Sequence, residues 1–292
     1  MEVRVATALI DGITTHYELI GSGPPLLMFS PGGFDATLEK WKTLGVYGRT
    51  NLLDHLSQSY TCITFDRREA GESAGRVERV SWAHYVEQGR ALLEHLNIER
   101  AHIMGGCMGC SPVLAFGVAH PEATRSLVLY WPVGGAKYRV NGNLRFAEHL
   151  AYVHREGLEG VVALVKAEGK TFGSDARVGP WGSVIGRDPA FAKTYAAQDA
   201  DRYKLLVTAM GRDLMDRDTA PGAEPEDLLR LDLPALVVPG HDDNHATSAA
   251  RYLEECLPGS EYWDATVAEQ TGETAPAKVL EFLDRVTATT KA

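Results

Sequence analysis

The amino-acid sequence predicts an α/β fold, in which a mostly parallel sheet carries helices on both faces and a helical segment is inserted between two strands. Short apolar runs that are typical of buried strands alternate with longer amphipathic segments of helical spacing. The 292 residues, 45% of them hydrophobic, can fill the core of one large domain. Between about residues 133 and 230 the alternation stops and the spacing becomes helical.

Seven segments are predicted as strands because they are short, apolar or alternating, and bounded by turn residues. Asp11-Gly12 forms the turn between the first two, which we expect to pair as a hairpin. The other five are more uniformly apolar, as expected for strands that are covered on both faces. In chain order the predicted strands are Val3–Leu9, Thr14–Ile20, Leu26–Phe29, Cys62–Phe65, His102–Met104, Ser126–Tyr130 and Ala235–Val238.

Four segments outside the insertion have the spacing of helices. Ser81 is a suitable N-cap for the first, and Pro121 ends the second because proline cannot continue a helix. The predicted helices are Ser81–Leu96, Cys110–His120, Thr247–Cys256 and Ala275–Thr287.

The segment 134–230 is predicted to be a helical cap on a core domain formed by residues 1–133 and 231–292. Its longest amphipathic runs are Leu144–His154 and Leu158–Ala167, and it contains no clear buried strand. The alternative is a set of long loops, which compact domains seldom contain.

The composition indicates a protein that acts on a small molecule. The net charge is −10 and the chain has no basic cluster, which argues against nucleic acid or an anionic membrane as partner. No stretch is apolar for the length of a membrane span, and the four cysteines do not form a dense disulfide framework. We therefore expect a cytoplasmic protein without metal or cofactor, of unassigned oligomeric state.

Cys107 is the strongest candidate for a catalytic residue. It lies between a predicted strand and a predicted helix in the pattern Gly105-x-Cys107-x-Gly109. Such a turn brings the residues two before and two after the nucleophile so close together that both must be small. The following helix N-terminus should lower the pKa of the thiol and favour the reactive thiolate. Inert packing is the alternative, since buried cysteines are commonly unreactive.

These residues resemble the α/β-hydrolase family over roughly 1–133 and 231–292. The G-x-Nuc-x-G elbow holds Cys107 where the family has serine, and Asp66-x-Arg68-x-x-Gly71-x-Ser73 is similar to the turn after the fourth strand, with Glu69 replacing a glycine. The resemblance extends to a subgroup with a Gly-Gly-Cys elbow and a D-x-x-H sequence. It implies the α/β-hydrolase fold and a hydrolytic nucleophile.

The expected histidine base is missing from its usual place. The family carries Gly-His before the last helix, where this chain has Gly272-Glu273, and no histidine follows His245. Our preferred base is His245, with Asp242 at the family's acid position as its orienting partner. Glu273 is a possible partner from the opposite loop, and His241 is the weaker candidate for the base.

The resemblance also implies an oxyanion hole. The amide of Met108 should face the developing oxyanion, and Gly33 or Phe34, in the loop where the family has His-Gly, should supply the second donor. The alternative is that Gly32-Gly33 forms only an ordinary turn. Glu69 could reach the site, although a surface charge is the simpler interpretation.

Other patterns predict weaker alternatives. Cys107 and Cys110 have the spacing of a dithiol redox site, but Cys110 should face the packing side of its helix. His241 and His245 flank a loop and not one helix face, which argues against a metal. In the cap, Arg145 could bind a carboxylate, although a surface position is the simpler interpretation.

The sequence thus predicts a hydrolase that uses Cys107 on a small carbonyl substrate, an ester, lactone, enol ester or thioester, through an acyl-enzyme. Two alternatives stay open. One is an acyltransferase or lyase-like enzyme that uses the same thiolate. The other is a non-hydrolytic binding protein that has kept the pocket and lost the base.

Overall fold

The protein is described from a computed structural model, which covers residues 3–73 and 75–290. Residues 1–2, 74 and 291–292 belong to the predicted core ranges and lie outside the described residues. Eight strands form one sheet in the order β1-β2-β4-β3-β5-β6-β7-β8. β2 is antiparallel to both of its neighbours, and all other neighbouring strands run parallel. The predicted α/β-hydrolase fold is confirmed.

Every predicted strand is present, with bounds extended by at most two residues at either end. The strands are β1 Val3–Ile10, β2 Ile13–Ile20, β3 Pro25–Phe29, β4 Thr61–Phe65, β5 Ala101–Gly106, β6 Thr124–Tyr130, β7 Ala235–Val238 and β8 Ser260–Tyr262. The sequence prediction missed β8, because it has only three residues, none fully buried, and so lacks the apolar run of an inner strand.

The helices α1–α5 precede the insertion, and α11 and α12 follow it. Ser81 is the N-cap of α4, but its hydroxyl pairs with the ring of His84 at 2.8 Å and not with the helix backbone. The helices are α1 Lys40–Thr43, α2 Gly45–Thr50, α3 Leu52–Leu56, α4 Trp82–His95, α5 Cys110–Ala119, α6 Ala136–Glu168, α7 Gly182–Arg187, α8 Pro189–Ala196, α9 Ala200–Leu214, α10 Pro225–Leu228, α11 Thr247–Cys256 and α12 Thr274–Thr290.

The chain between β6 and β7 is helical, and this stretch, described without a gap, contains no strand. Its first helix, α6, is broken at Gly157, whose φ of 69° lies outside the helical region. The two amphipathic runs read from the sequence are the segments on either side of this break.

The sheet has one apolar core on each face. One face packs against α1–α3 and α12, and the other against α4, α5 and α11, with the insertion adding to the second core. Because both faces are covered, the inner strands β3, β5, β6 and β7 are buried almost throughout.

The connection from β5 to α5 is a sharp turn that depends on two glycines. A Cβ atom on Gly105 would lie 2.3 Å from the carbonyl oxygen of Gly109, and one on Gly109 would lie 2.3 Å from that of Phe29. Between them Cys107 has a φ of 54°, in the left-handed region that side chains rarely adopt. The backbone strain predicted from the G-x-Nuc-x-G pattern is therefore present at the cysteine.

Asp66, at the end of β4, fixes the neighbouring loop. Its carboxylate accepts hydrogen bonds from the amides of Leu38 at 2.8 Å and Glu72 at 2.7 Å, while Ser73 donates to its carbonyl. The turn predicted from Asp66-x-Arg68-x-x-Gly71-x-Ser73 thus anchors the segment that follows β3. That segment begins with the glycines of the predicted oxyanion loop.

The turn's dependence on glycine can be tested by Gly105→Ala, which we expect to destabilise the protein by about 1–3 kcal/mol, because the added methyl meets backbone that cannot move aside. Urea unfolding measures the loss. The matched control is Gly186→Ala in α7, where the nearest atom, in Val165, would be 3.5 Å away. Equal stability of the two variants would contradict the close approach.

Candidate active site

A cavity of about 430 Å³ lies at the carboxyl ends of the central strands, beneath the insertion. The loops after β3, β5, β6 and β7 form its base, and α6 forms much of its wall. Phe34, Phe146 and Phe172 pack edge to face around it with ring centroids 5.4–5.5 Å apart. Its lining is therefore mostly apolar, with polar groups at a few positions.

Cys107 lies at the base of the cavity and is partly exposed to it. The amides of Met108 and Gly32 interact with its sulfur. Gly33 and Phe34, the predicted second donors, line the cavity beside them. The structure thus brings the predicted oxyanion loop to the nucleophile, and the amide directed at the sulfur is that of Gly32, which the sequence did not single out.

His245 and Asp242 meet in the loop after β7. His245 Nδ1 lies 2.8 Å from Asp242 Oδ1 and 2.9 Å from Oδ2, and the same carboxylate accepts the amides of Asn244 and His245. This local turn fixes the ring with Nδ1 on the acid. The other ring nitrogen, Nε2, is buried and has no hydrogen bond of standard geometry to a described residue.

The electrostatics of Cys107 and His245 are coupled. Burial opposes ionisation of the thiol, but the charge and hydrogen bonding of His245 and the two amides outweigh it and lower the pKa of Cys107. Burial likewise opposes protonation of the ring, but Cys107 and Asp242 together raise the pKa of His245 to about 9. The arrangement favours a thiolate beside an imidazolium, with Asp242 supporting the positive ring.

Trp131 and Gln270 hold the loop that carries His245. The Trp131 ring lies 5.5 Å from that of His245, and its indole N–H donates to Gln270 at 2.7 Å. Gln270, fully buried, in turn donates to the carbonyl of Pro239. The glutamine occupies the loop in which the family resemblance led us to look for a histidine.

Three other candidates lie away from the cavity. Glu273 is exposed, and its backbone amide donates a hydrogen bond to the hydroxyl of Thr271 in the same loop. His241 points instead toward Thr247, at 3.1 Å, and does not line the cavity. Cys110 is buried and donates to the Gly105 carbonyl at 3.1 Å, on the packing side of its helix.

The interpretation of Glu69 as a surface charge is wrong, and it does not line the cavity either. It is buried against Tyr85, which donates to it at 2.9 Å, and Arg67 lies 3.9 Å away. Burial raises the pKa of Glu69 against the opposing charge of Arg67. The sequence pattern of the turn does not show this burial, because Tyr85, the residue that donates to Glu69, is carried by α4, sixteen residues further along the chain.

Sequence reasoning missed several polar residues of the cavity wall. Tyr138 and Asn141, on the first turns of α6, line it together with Arg145. A signal was available, because these positions are three and four residues apart and share a helix face. Which face of α6 would turn inward could not be read from the sequence, since both faces carry apolar residues.

No helix among the described residues is both long and apolar enough to cross a membrane.

A family model of the α/β-hydrolase fold matches residues 25–151. An uncharacterized hydrolase of Bacillus subtilis, YraK, is 27% identical over 135 residues, which are 46% of this chain and 46% of the relative. The chain thus spans less than half of the length of this curated relative.

Solved structures match nearly the whole chain. A hydrolase from Pseudomonas aeruginosa has a TM-score of 0.63 at 19% identity, covering 96% of this chain and 98% of the other. An enol-lactonase from Burkholderia xenovorans has a TM-score of 0.59 at 18% identity, covering 96% and 100%. The chain has the α/β-hydrolase fold, which residues 25–151 share with the family model and nearly the whole chain shares with these solved structures.

Proposed function

We propose that the protein is a hydrolase that cleaves ester-like bonds of small carbonyl substrates through an acyl-enzyme on Cys107. The observation that carries this proposal is that Cys107, His245 and Asp242 line one cavity. Nδ1 of the histidine ring is hydrogen-bonded to the Asp242 carboxylate at 2.8 Å. The names of similar proteins, a hydrolase and an enol-lactonase, support the same reaction class.

In the first half-reaction the Cys107 thiolate attacks the substrate carbonyl. A carbon–sulfur bond forms while the carbonyl electrons move onto oxygen, where the amide of Met108 and one amide of the loop 32–34 stabilise the charge. The tetrahedral species then collapses to a thioester. The leaving oxygen takes the proton of the His245 imidazolium and departs as an alcohol or enol.

In the second half-reaction neutral His245 accepts a proton from water as that water attacks the thioester. Collapse releases the carboxylic acid product and restores the thiolate beside the imidazolium. Asp242 keeps Nδ1 protonated throughout, so that Nε2 is the basic nitrogen. The base therefore comes from the loop after β7, three residues from its acid.

We further propose that residues 134–230 act as the cap that selects the substrate. Helix α6 contributes Tyr138, Gly142 and Phe146 to the cavity wall, whereas the core contributes the reacting groups. A volume of about 430 Å³ with mainly apolar walls suits a compact acyl group.

The first prediction concerns the reactivity of Cys107. Iodoacetamide should modify Cys107 well before Cys62, because burial raises the pKa of Cys62 to about 12 while that of Cys107 is lowered. The rate should rise with pH as the thiol ionises, with a midpoint below the free-thiol pKa of about 8.5. Peptide mass spectrometry of timed samples measures it.

In the matched variant His245→Ala, the midpoint of this pH profile should move upward, since the positive ring no longer supports the thiolate. His241→Ala should leave it unchanged. Equal labelling of Cys107 and Cys62, or one profile for all three proteins, would argue against an activated thiolate.

The second prediction concerns turnover. His245→Ala should slow deacylation more than acylation, by about 10²–10⁴-fold, because a thiolate can attack unaided and water cannot. With a chromogenic ester, the variant should give a burst of one equivalent and an acyl mass increment on Cys107. The control His241→Ala should turn over like the parent.

Other outcomes would support other functions. A parent protein that is labelled once by the ester and never turns over would indicate a binding protein. Deacylation that needs an added alcohol or thiol acceptor would indicate an acyltransferase. If His245→Ala turned over at the parent rate, its role as base would be wrong.

A further inference from the structure

We infer that the substrate carries a carboxylate at the far end of its acyl group, bound by Arg145 and Asn141 in a row of hydrogen-bond donors on the cap helix α6. This inference rests on the proposed function of the Cys107 site and names its substrate class. The row consists of Tyr138, Asn141 and Arg145.

The three residues form one stripe of the helix. Their spacings of three and four residues place them on the same face, and all three line the cavity that contains Cys107. Gly142 lies on this face too, where Met215 packs so closely that a Cβ would come within 2.3 Å of its sulfur. The helix is thereby held with its polar stripe toward the cavity.

Tyr138 supplies an unpaired polar group inside the site. Only 6% of the residue is exposed, and its hydroxyl has no hydrogen-bond partner among the described residues. A buried hydroxyl without a partner costs free energy, so its place at a cavity wall points to a ligand that completes it. Arg67, whose charge acts on this hydroxyl, is fully buried and lies 3.9 Å from the carboxylate of Glu69.

Arg145 supplies an unpaired charge at the mouth of the same cavity. Its one hydrogen bond goes to the carbonyl of Phe172 at 2.7 Å, and it forms no ion pair with any carboxylate that the structure describes. Among the described residues, the one acid that lines the cavity is Asp242, which already binds the His245 ring and two amides. The guanidinium is exposed and also lines a neighbouring groove with Glu148 and Asp175, neither of which forms an ion pair with it. Among the described residues that line the Cys107 cavity, none offers it a carboxylate partner.

The spacing of the row sets the size of the substrate. Tyr138 and Arg145 are seven residues apart, which is about 10 Å along the helix axis. Tyr138 is at the end near Cys107, whose charge acts on its hydroxyl. The three phenylalanine rings line the same cavity, which suits a short apolar chain with the reacting carbonyl at one end and the anion at the other.

A carboxylate fits this site better than a phosphate. A planar guanidinium pairs with the two oxygens of a carboxylate, and one unpaired cation matches one negative charge. A phosphate monoester carries up to two charges, and among the described residues the cavity lining offers no lysine and no second arginine.

The experiment compares mono-p-nitrophenyl esters of glutaric, adipic and pimelic acids with neutral p-nitrophenyl hexanoate. We expect the parent to prefer one of the hemiesters in kcat/KM. Arg145→Met should lower that value about 10- to 100-fold, the contribution typical of charge-assisted hydrogen bonds, and should lower kcat/KM for the neutral ester much less. The matched control Arg139→Met lies on the same helix, lines a different surface groove, and should behave like the parent.

A second measurement is independent of turnover. Adipate should protect Cys107 from iodoacetamide in the parent and in Arg139→Met, and fail to do so in Arg145→Met. Hydrolysis of hexanoate with no hemiester preference would overturn this inference and leave the proposed function intact. If no ester were turned over but adipate protected Cys107, the proposed reaction would be wrong and the anion site would stand. If adipate still protected Cys107 in Arg145→Met as it does in Arg139→Met, the role of Arg145 would be wrong.

Discussion

The close approach of two backbone segments at the end of β5 is the constraint on which the rest of the site depends. Gly105, Gly109 and the end of β3 pack with no room for a side chain, and this contact holds Cys107 in a left-handed conformation. The strained turn lifts the sulfur into the cavity and starts a helix directly behind it. Both effects favour the thiolate, because amides and a helix N-terminus then face the sulfur.

The position of the histidine follows from a different and more local interaction. Asp242 and His245 are three residues apart in one turn, and the carboxylate binds both the ring and two amides. Because the acid and the base lie in the same turn, their pairing does not depend on how two distant loops pack together. The loop before α12 does not supply the histidine. Instead it carries Gln270, which accepts a hydrogen bond from Trp131 and so holds the indole beside the histidine ring.

The cavity has charged groups at its floor and apolar walls. Cys107 and His245 form their pair in surroundings that exclude much water, which strengthens each electrostatic interaction there. A second charged group, Arg67 with Glu69, is buried at the end of β4 and makes few hydrogen bonds of its own. Its contacts with Tyr85 link the turn after β4 to α4.

Local patterns of the sequence were sufficient to predict the fold and to single out Cys107, Asp242 and His245, which line one cavity in the structure. The elbow around Cys107 and the pair Asp242 and His245 each lie within a few residues, so sterics and hydrogen bonding at short range specify them. The strands were predictable for the same reason, apart from β8, whose three half-buried residues carry no apolar pattern.

Only the tertiary structure decided which distant groups meet. That Glu69 is buried, that Glu273 faces solvent, and that Gly32 presents its amide to the sulfur all depend on how separate loops pack. The inward face of α6 was decided in the same way, since packing against Met215 and Phe172 orients the helix. Such contacts join residues far apart in the chain, and no local pattern encodes them.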